Sequence, residues 1–450
     1  MTERVALIGA GPSGMALLRA LALAEDEGAV VPEVVAFERQ ADWGGQWNLD
    51  WRTAADRFGE PVHSAMYRDL WINGPKECME YPDYSFDAHF GRPVSSYLPQ
   101  EAMKDYILGR VAHVAERIRP LIRFGTVVRW VQPLDDGTFE VTSVDLTTGA
   151  ARTEAFDRIV VATGHFHAAH TPSWPGVEDF PGLVQHAHDY RTPEPFAGRR
   201  VLVIGSSYSG QDLALQLHRG GAAHVTTAYR KAPQELDWPA GMDERPEVQG
   251  FAGSRVAFAD GSSAEYDAVL LCTGYRHHYP FLPAELALSG PNLPFVPSLW
   301  KSVVWQADPR VLYLGATQQW FTLTLLDAQA FFARDVLLGR APVPSAQERQ
   351  ADIDAWTARM AAIDSTPVAL AFQADQIRDL TAGTGYPEMD LDGVIATFLQ
   401  MGEDKRESLT RYRDRTHRSL VTGTRAAAHP VPWMHHPDGS LEGYLAHFPG

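Results

Sequence analysis

Apolar residues along the chain follow two periods, and the switches between them mark its elements. Val5-Ala6-Leu7-Ile8 is a short unbroken apolar run, the pattern of a strand buried on both faces. Past a glycine-rich turn, Met15, Leu17, Leu18, Leu21 and Leu23 supply one face of a helix, and Val34 to Phe37 predict the next strand, with Glu38 at its end. The same order returns further along. An apolar run from Val201, a glycine-serine turn, a periodic helix and a strand over His224 to Tyr229 repeat it. Between the two units, residues 39 to 100 are dense in Trp, Tyr, Gly, Pro and Asn and follow neither period. So long an irregular stretch inside a compact domain is usually functional. A helix over Glu101 to Arg117 comes next, then strands over Ile122 to Trp130 and Phe139 to Val144. A buried strand over Ile159 to Ala162 ends in Thr163-Gly164. Ala268 to Cys272, followed by Thr273-Gly274, is a second strand of that kind. Beyond Tyr279, Val311 to Gly315 reads as a strand and Leu325 to Leu338 as a helix, and from Pro344 helical segments alternate with Pro-containing loops.

Strands alternating with helices in this way predict an α/β fold with parallel sheets. Two strand-turn-helix units, each closed by a strand and a Thr-Gly pair, predict two Rossmann-like dinucleotide-binding domains, the second inserted into the first. The expected bounds are residues 1–168 plus 280–450 for the discontinuous domain and 169–279 for the inserted one. No further repeat and no low-complexity tract interrupts this order.

The first turn is Gly9-Ala10-Gly11-Pro12-Ser13-Gly14 and the second is Gly205-Ser206-Ser207-Tyr208-Ser209-Gly210. A lone G-x-G-x-x-G is a weak signal. After a strand and before a helix it becomes a strong one, because close-packed glycines bring a pyrophosphate onto the helix N-terminus. Ser207 replaces the middle glycine of the second turn and is small enough to keep the backbone approachable. Glu38 stands roughly 20 residues past the first glycines, where an acid grips a free ribose hydroxyl; an ordinary strand-end charge is the alternative. The matching strand of the second unit ends in Tyr229-Arg230-Lys231, and a guanidinium there suits a 2′-phosphate, with solvated surface charge as the alternative. FAD in the first unit and NADPH in the second is the economical assignment, with electrons passing between them.

Composition narrows the class. At 450 residues the chain has room for two or three domains, and its net charge of -17 argues against nucleic acid or an anionic membrane as partner. Cys78 and Cys272 are the two cysteines and form no C-x-x-C, which argues against a dithiol redox centre and a Cys-rich zinc site. His165, His167 and His170, and the pairs His277-His278 and His435-His436, lack convincing ligand spacing, so no metal is expected. The first strand begins at once, and no apolar run approaches the roughly 20 residues that span a bilayer. A cytoplasmic enzyme is the expectation.

Between the units, Phe180-Pro181-Gly182-Leu183-Val184-Gln185-His186-Ala187-His188-Asp189-Tyr190 matches F-x-G-x-x-x-H-x-x-x-Y. With G-x-G-x-x-G before it and G-x-S-x-x-G after it, the chain resembles the flavin-containing monooxygenases. The related Baeyer-Villiger enzymes usually close this motif with Trp followed by Pro or Asp, and Tyr190-Arg191 departs from them. Further stretches are similar to the bacterial trimethylamine-oxidising members of the family: Ala41 to Trp47, Met66-Tyr67-Arg68, Asn73 to Glu77, Asp243 to Pro246, Asp327 to Ala330 and Arg418 to Thr424. The resemblance covers essentially the whole chain.

It implies that NADPH reduces FAD and that the reduced flavin binds O2 at C4a. The resulting hydroperoxide passes an oxygen to a soft nitrogen or sulfur, as in trimethylamine to its N-oxide, with indole and sulfides as further acceptors. It places Asn73 beside the flavin and the oxygen, where a short amide offers donor and acceptor without titrating; Asn-Gly-Pro is also strong turn chemistry. It links Tyr208 to cofactor positioning and substrate access, with a ring that just covers the loop as the alternative. Gly44, Gly45, Gln46, Trp47, Met66, Thr163, Gly164, Thr273, Gly274, Tyr275 and Gln329 are expected around the cofactors, with packing in an aromatic core the alternative for Trp47. His186 is read as the cap of a turn. Trp71, Trp305, Trp320 and Phe321 are candidate faces for an ammonium. Ile72 and Thr322 to Leu326 are more aliphatic than expected for trimethylamine, which favours larger sulfides, indole or secondary amines. A homodimer is also implied. A ketone oxygenase and a flavin-dependent redox sensor are the competing functions.

Overall fold

The structure is a computed structural model that describes residues 3–428 and 440–447; the His435-His436 pair lies outside the described residues. Strand β1 (Arg4–Ile8) feeds helix α1 (Pro12–Asp26), and β2 (Glu33–Phe37) returns beside β1 in parallel, Val5 opposite Val34 and Ile8 opposite Phe37. Helix α2 (Gln100–Val111) precedes β3 (Arg158–Val161), which lies parallel on the other side of β1. The second unit comprises β4 (Leu183–His186), β5 (Arg200–Ile204), α3 (Tyr208–Arg219), β6 (His224–Ala228), β7 (Met242–Arg245) and β8 (Ala268–Leu271). The chain then adds β9 (Val311–Tyr313) and helices α4 (Thr322–Leu337), α5 (Ala346–Ala361), α6 (Thr366–Thr381) and α7 (Leu391–Glu407).

Two sheets result. The larger runs Leu299–Trp300, Val304–Trp305, β9, β3, β1, β2, Ile122–Arg123, with its first two strands antiparallel and the rest parallel. The smaller, β7-β6-β5-β8-β4, is parallel throughout. In each, the first strand of the unit (β1, β5) sits between the strand after its helix and the strand that ends in Thr-Gly. The order in which strands are added reverses there, and ligands of open α/β sheets bind in that crevice. The segments leaving β3 and β8 run side by side: Ala169 bridges Tyr275, His170 N–H donates to Gly274 O at 2.8 Å, and Arg276 N–H to Ala168 O at 3.0 Å.

Several elements differ from the periodicity. The helix expected over Glu101 to Arg117 is α2 followed by a 3-10 turn and one short helical turn; Gly109, two valines and then Pro120 weaken and end it. The strand expected over Ile122 to Trp130 divides at Gly125, whose φ is +60°. Its first two residues join the larger sheet and Thr126–Pro133 opens a separate antiparallel sheet. Helix α4 starts at Thr322, three residues before the expected Leu325, so the aliphatic run Thr322 to Leu326 forms its first turn. Strand β4 was hidden within the F-x-G motif because Gln185 and His186 break its apolar pattern.

Candidate active site

The two glycine turns are built alike. Gly9 and Gly205 have φ of +105° and +119°, which side-chain-bearing residues rarely adopt. Gly9 N–H donates to Phe37 O at 2.8 Å and Gly205 N–H to Ala228 O at 3.1 Å. A methyl on Gly9 would strike Ala162 O and one on Gly205 would strike Cys272 O, so each turn packs against the residue before a Thr-Gly pair. Methyls on Gly14 and Gly210 would strike the carbonyls of Gly9 and Gly205. Helices α1 and α3 are thereby drawn onto their strands. Gly11 and Ser207 are the N-caps, and neither supplies a side-chain cap. The first N–H groups of both helices are left to a ligand, where an anion is stabilised. Gly45 closes over the first turn: a Cβ there would lie 2.8 Å from the Gly11 Cα.

The residues around the first turn fit a dinucleotide. Glu38 is buried, accepts from Ala10 N–H and Gln40 N–H at 2.8 Å each, and has no ion-pair partner among the described residues. Burial pushes its carboxyl above the usual range. Its remaining lone pairs suit ribose hydroxyls. Among the described residues Gln46 Oε1 and Thr163 Oγ1 are buried without a partner, as expected of groups that meet a polar ligand. Met66 is buried, its N–H donating to Ser64 Oγ at 3.3 Å, and Trp47 is half-buried against the core. Gln329 stands one layer back: it accepts from Gly315 N–H at 2.8 Å and donates to Ser302 O at 3.3 Å. It holds the Gly315 turn, where a Cβ would lie 2.7 Å from Ser13 Oγ.

Around the second turn, Ser207 and Ser209 are exposed, and so are Arg230 and Lys231 past the end of β6, which have no ion-pair partner among the described residues. Thr273 Oγ1 donates to His170 O at 2.5 Å, next to Gly274. Tyr275 packs edge-on to His186 and His188, with ring centres 5.5 and 6.3 Å away.

Asn73 is exposed between buried Ile72 and Gly74 and makes no side-chain hydrogen bond among the described residues. Beside it lies a residue that sequence reasoning missed. Phe398 of α7 meets the Tyr208 ring edge-on at 6.5 Å and the Phe321 ring at 6.3 Å, and a Cβ on Gly74 would lie 3.9 Å from its Cε2. Phe398 thus joins Asn73-Gly74, Tyr208 and Trp320-Phe321; its only sequence signal was one apolar position in a periodic helix. Gln373 of α6 fixes the turn before α4 by accepting from Trp320 N–H and Phe321 N–H at 2.6 and 2.7 Å. One expected aromatic belongs elsewhere: Trp305 packs on Tyr313 in the core on the other face of the larger sheet, whereas Trp71 is buried edge-on to Tyr444 in the same cluster as Phe321 and Phe398.

Arg191 was also missed. It is buried and donates to the carbonyls of Asp50, Arg52, Ser64, His188 and Tyr190, tying the irregular segment to the central motif. His63 and His167 stack with ring centres 5.3 Å apart. Burial holds His63 well below the ordinary imidazole range and both His165 and His167 at about 4, so all three are neutral near pH 7. Cys78 and Cys272 are free. Among the described residues, no group of His, Cys, Asp or Glu is arranged to hold a metal, and no helix is long and apolar enough to cross a membrane.

Residues 2–233 match the family described as Flavin-binding monooxygenase-like, more than half of the chain. The chain belongs to this family. It is 48% identical to a trimethylamine monooxygenase of Methylocella silvestris over 443 residues, 98% of each chain. The crystal structure of Tmm from Pelagibacter sp. strain HTCC7211 superposes with a TM-score of 0.94 at 41% identity, covering 98% of this chain and 100% of that one. S-allyl-L-cysteine S-oxygenase from Allium sativum aligns with a TM-score of 0.77 at 26% identity, over 92% and 95%. This protein is therefore a flavin-dependent monooxygenase with two Rossmann-like units. Its central F-x-G motif is structural: a methyl on Gly182 would strike Asp267 O, His186 Nδ1 accepts from His188 N–H at 3.0 Å as a turn cap, and Tyr190 is fully buried.

Proposed function

We propose that this monooxygenase holds FAD in the first cradle and NADPH in the second and oxygenates small tertiary amines, trimethylamine first among them, to their N-oxides. Supporting this is the juxtaposition of Gly74, next to Asn73, with Phe398, Tyr208 and Phe321 at the head of the second cradle, in a chain so similar to trimethylamine monooxygenases. Likeness to an S-oxygenase supports sulfides, alongside indole, as further acceptors. Residues 1–168 with 280–450 form the FAD domain in this reading and 169–279 the NADPH domain, working as a cytoplasmic homodimer.

Bound flavin supplies hydride acceptance and oxygen activation. The chain's own residues do the rest. Glu38 and the α1 N-terminus hold the FAD ribose and pyrophosphate, while Arg230 and Lys231 hold the 2′-phosphate of NADPH. Asn73 offers its free amide to the oxygen, and the rings of Phe398, Phe321 and Tyr208 keep water from it.

The test is the yield of N-oxide per NADPH consumed in aerated buffer. Wild type should give N-oxide from trimethylamine, whereas Asn73→Ala should keep its FAD yet turn NADPH consumption into hydrogen peroxide. A normal yield from Asn73→Ala overturns the role of that residue. Lactone from a cyclic ketone, with no N-oxide, would transfer the chain to the ketone oxygenases.

A further inference from the structure

Lys405 sits on the same face of α7 as Phe398, about two turns further along. It is only 7% exposed, and its Nζ lies 4.8 Å from the centre of the Tyr208 ring and 4.9 Å from that of Tyr412. An ammonium between two aromatic faces is the arrangement that recognises cationic ligands. Here the cage is filled by the protein's own side chain. Its one hydrogen bond among the described residues is to Gln211 Oε1, at 3.4 Å. Asp212, the acid whose charge acts on it, is engaged by Arg413 at 2.9 Å and by the Tyr67 hydroxyl. The rings therefore provide the main attraction for this charge, and one of them belongs to the second phosphate turn.

We propose that Lys405 is a positioning residue for Tyr208: its ammonium, gripped between two tyrosine faces, fixes that ring at the head of α3 and so fixes how the second dinucleotide meets the flavin. This rests on the reading of α3 as the NADPH cradle. The hold is conditional on a proton. Burial and the Arg413 charge lower the lysine to about 7, and deprotonation removes the cation from the cage. Of the groups facing it, Tyr208 and Tyr412 are pushed upward by burial, Arg413 stays charged and Gln211 has no ionisable group, while Asp212 forms its ion pair with Arg413. Across Asp404, His417 is held below the ordinary imidazole range by burial.

The readout is the anaerobic rate of flavin reduction at saturating NADPH, from about pH 5.5 to 8.5, with the NADPH KM taken separately; it does not depend on which acceptor receives oxygen. Failure of the amine reading would thus appear as missing N-oxide with reduction intact. Wild type should reduce more slowly as pH rises through 7. Lys405→Met keeps the stem without the charge and should lose about tenfold in rate, the scale of a desolvated cation-π contact, with no inflection near 7. Lys405→Arg cannot deprotonate and should stay fast at alkaline pH. Wild-type rate and pH profile in Lys405→Met overturn the proposal. If that variant fails to hold FAD, an Arg variant that keeps the wild-type inflection overturns it equally.

Discussion

A carboxylate buried without a cation is costly unless donors converge on it, and Glu38 has two backbone donors where a fully satisfied carboxylate takes more. Its raised pKa sets two signs. In the apoprotein, ionisation is opposed, so the stability Glu38 contributes is present at acid pH, below its unfolded pKa, and is lost as pH rises through the higher folded value. Ribose hydroxyls donate to the charged form, so FAD binding should release a proton and tighten as pH rises across the acid range. Fluorescence titration of apoprotein with FAD should show that rise in wild type and a flat profile in Glu38→Gln, with affinity roughly 10- to 100-fold lower, the worth of a hydrogen bond to a charged group. The place of Glu38 beside the first turn was legible because its distance from the glycines along the chain fixes it. Phe398 was not, since an apolar residue on a helix face looks the same whether it meets core or pocket.

Among elements, α3 shows how much a helix depends on what surrounds it. Its periodicity was plain, but its seating was not. Asp212 is bonded to Arg413 and Tyr67, Arg219 to Asp69 at 2.8 Å, and Gln216 Nε2 donates to Asp69 O at 3.1 Å. These side chains come from three distant stretches of chain, and they lock the second cradle onto the segment that carries Met66 and Asn73. Asp212→Asn leaves the Arg413 guanidinium buried beside a neutral amide and should cost about 3 kcal/mol, the lower range for breaking a buried ion pair. Urea denaturation should show a lower midpoint with an unchanged slope. An unchanged midpoint would mean that α3 is held by its apolar face alone. Strand β4 makes the converse point: four residues with a broken apolar pattern become a strand because β8 offers them a parallel edge, Leu183 opposite Ala268.

At the scale of the molecule, two cradles face a shared region through the paired segments that leave β3 and β8. Those segments are where a protease should separate the two units. Limited proteolysis near Ala168 and Tyr279 should release a fragment close to residues 169–279, more slowly with NADP+ bound; cuts confined to the termini would count against that boundary. The α/β class, the two phosphate turns, the strand-end acid and the order of the units follow from the chain itself, because glycine turns, apolar runs and helix periods are short-range patterns set by local sterics. Tertiary structure alone decided what stands around the reaction. Phe398, Gln373, Arg191 and Lys405 reach the site from helices and loops far along the chain, and the expected Trp305 was turned away into the core on the other face of the larger sheet. A side chain's surroundings depend on which face of its element meets which neighbour, and that is settled only when the long-range packing is complete.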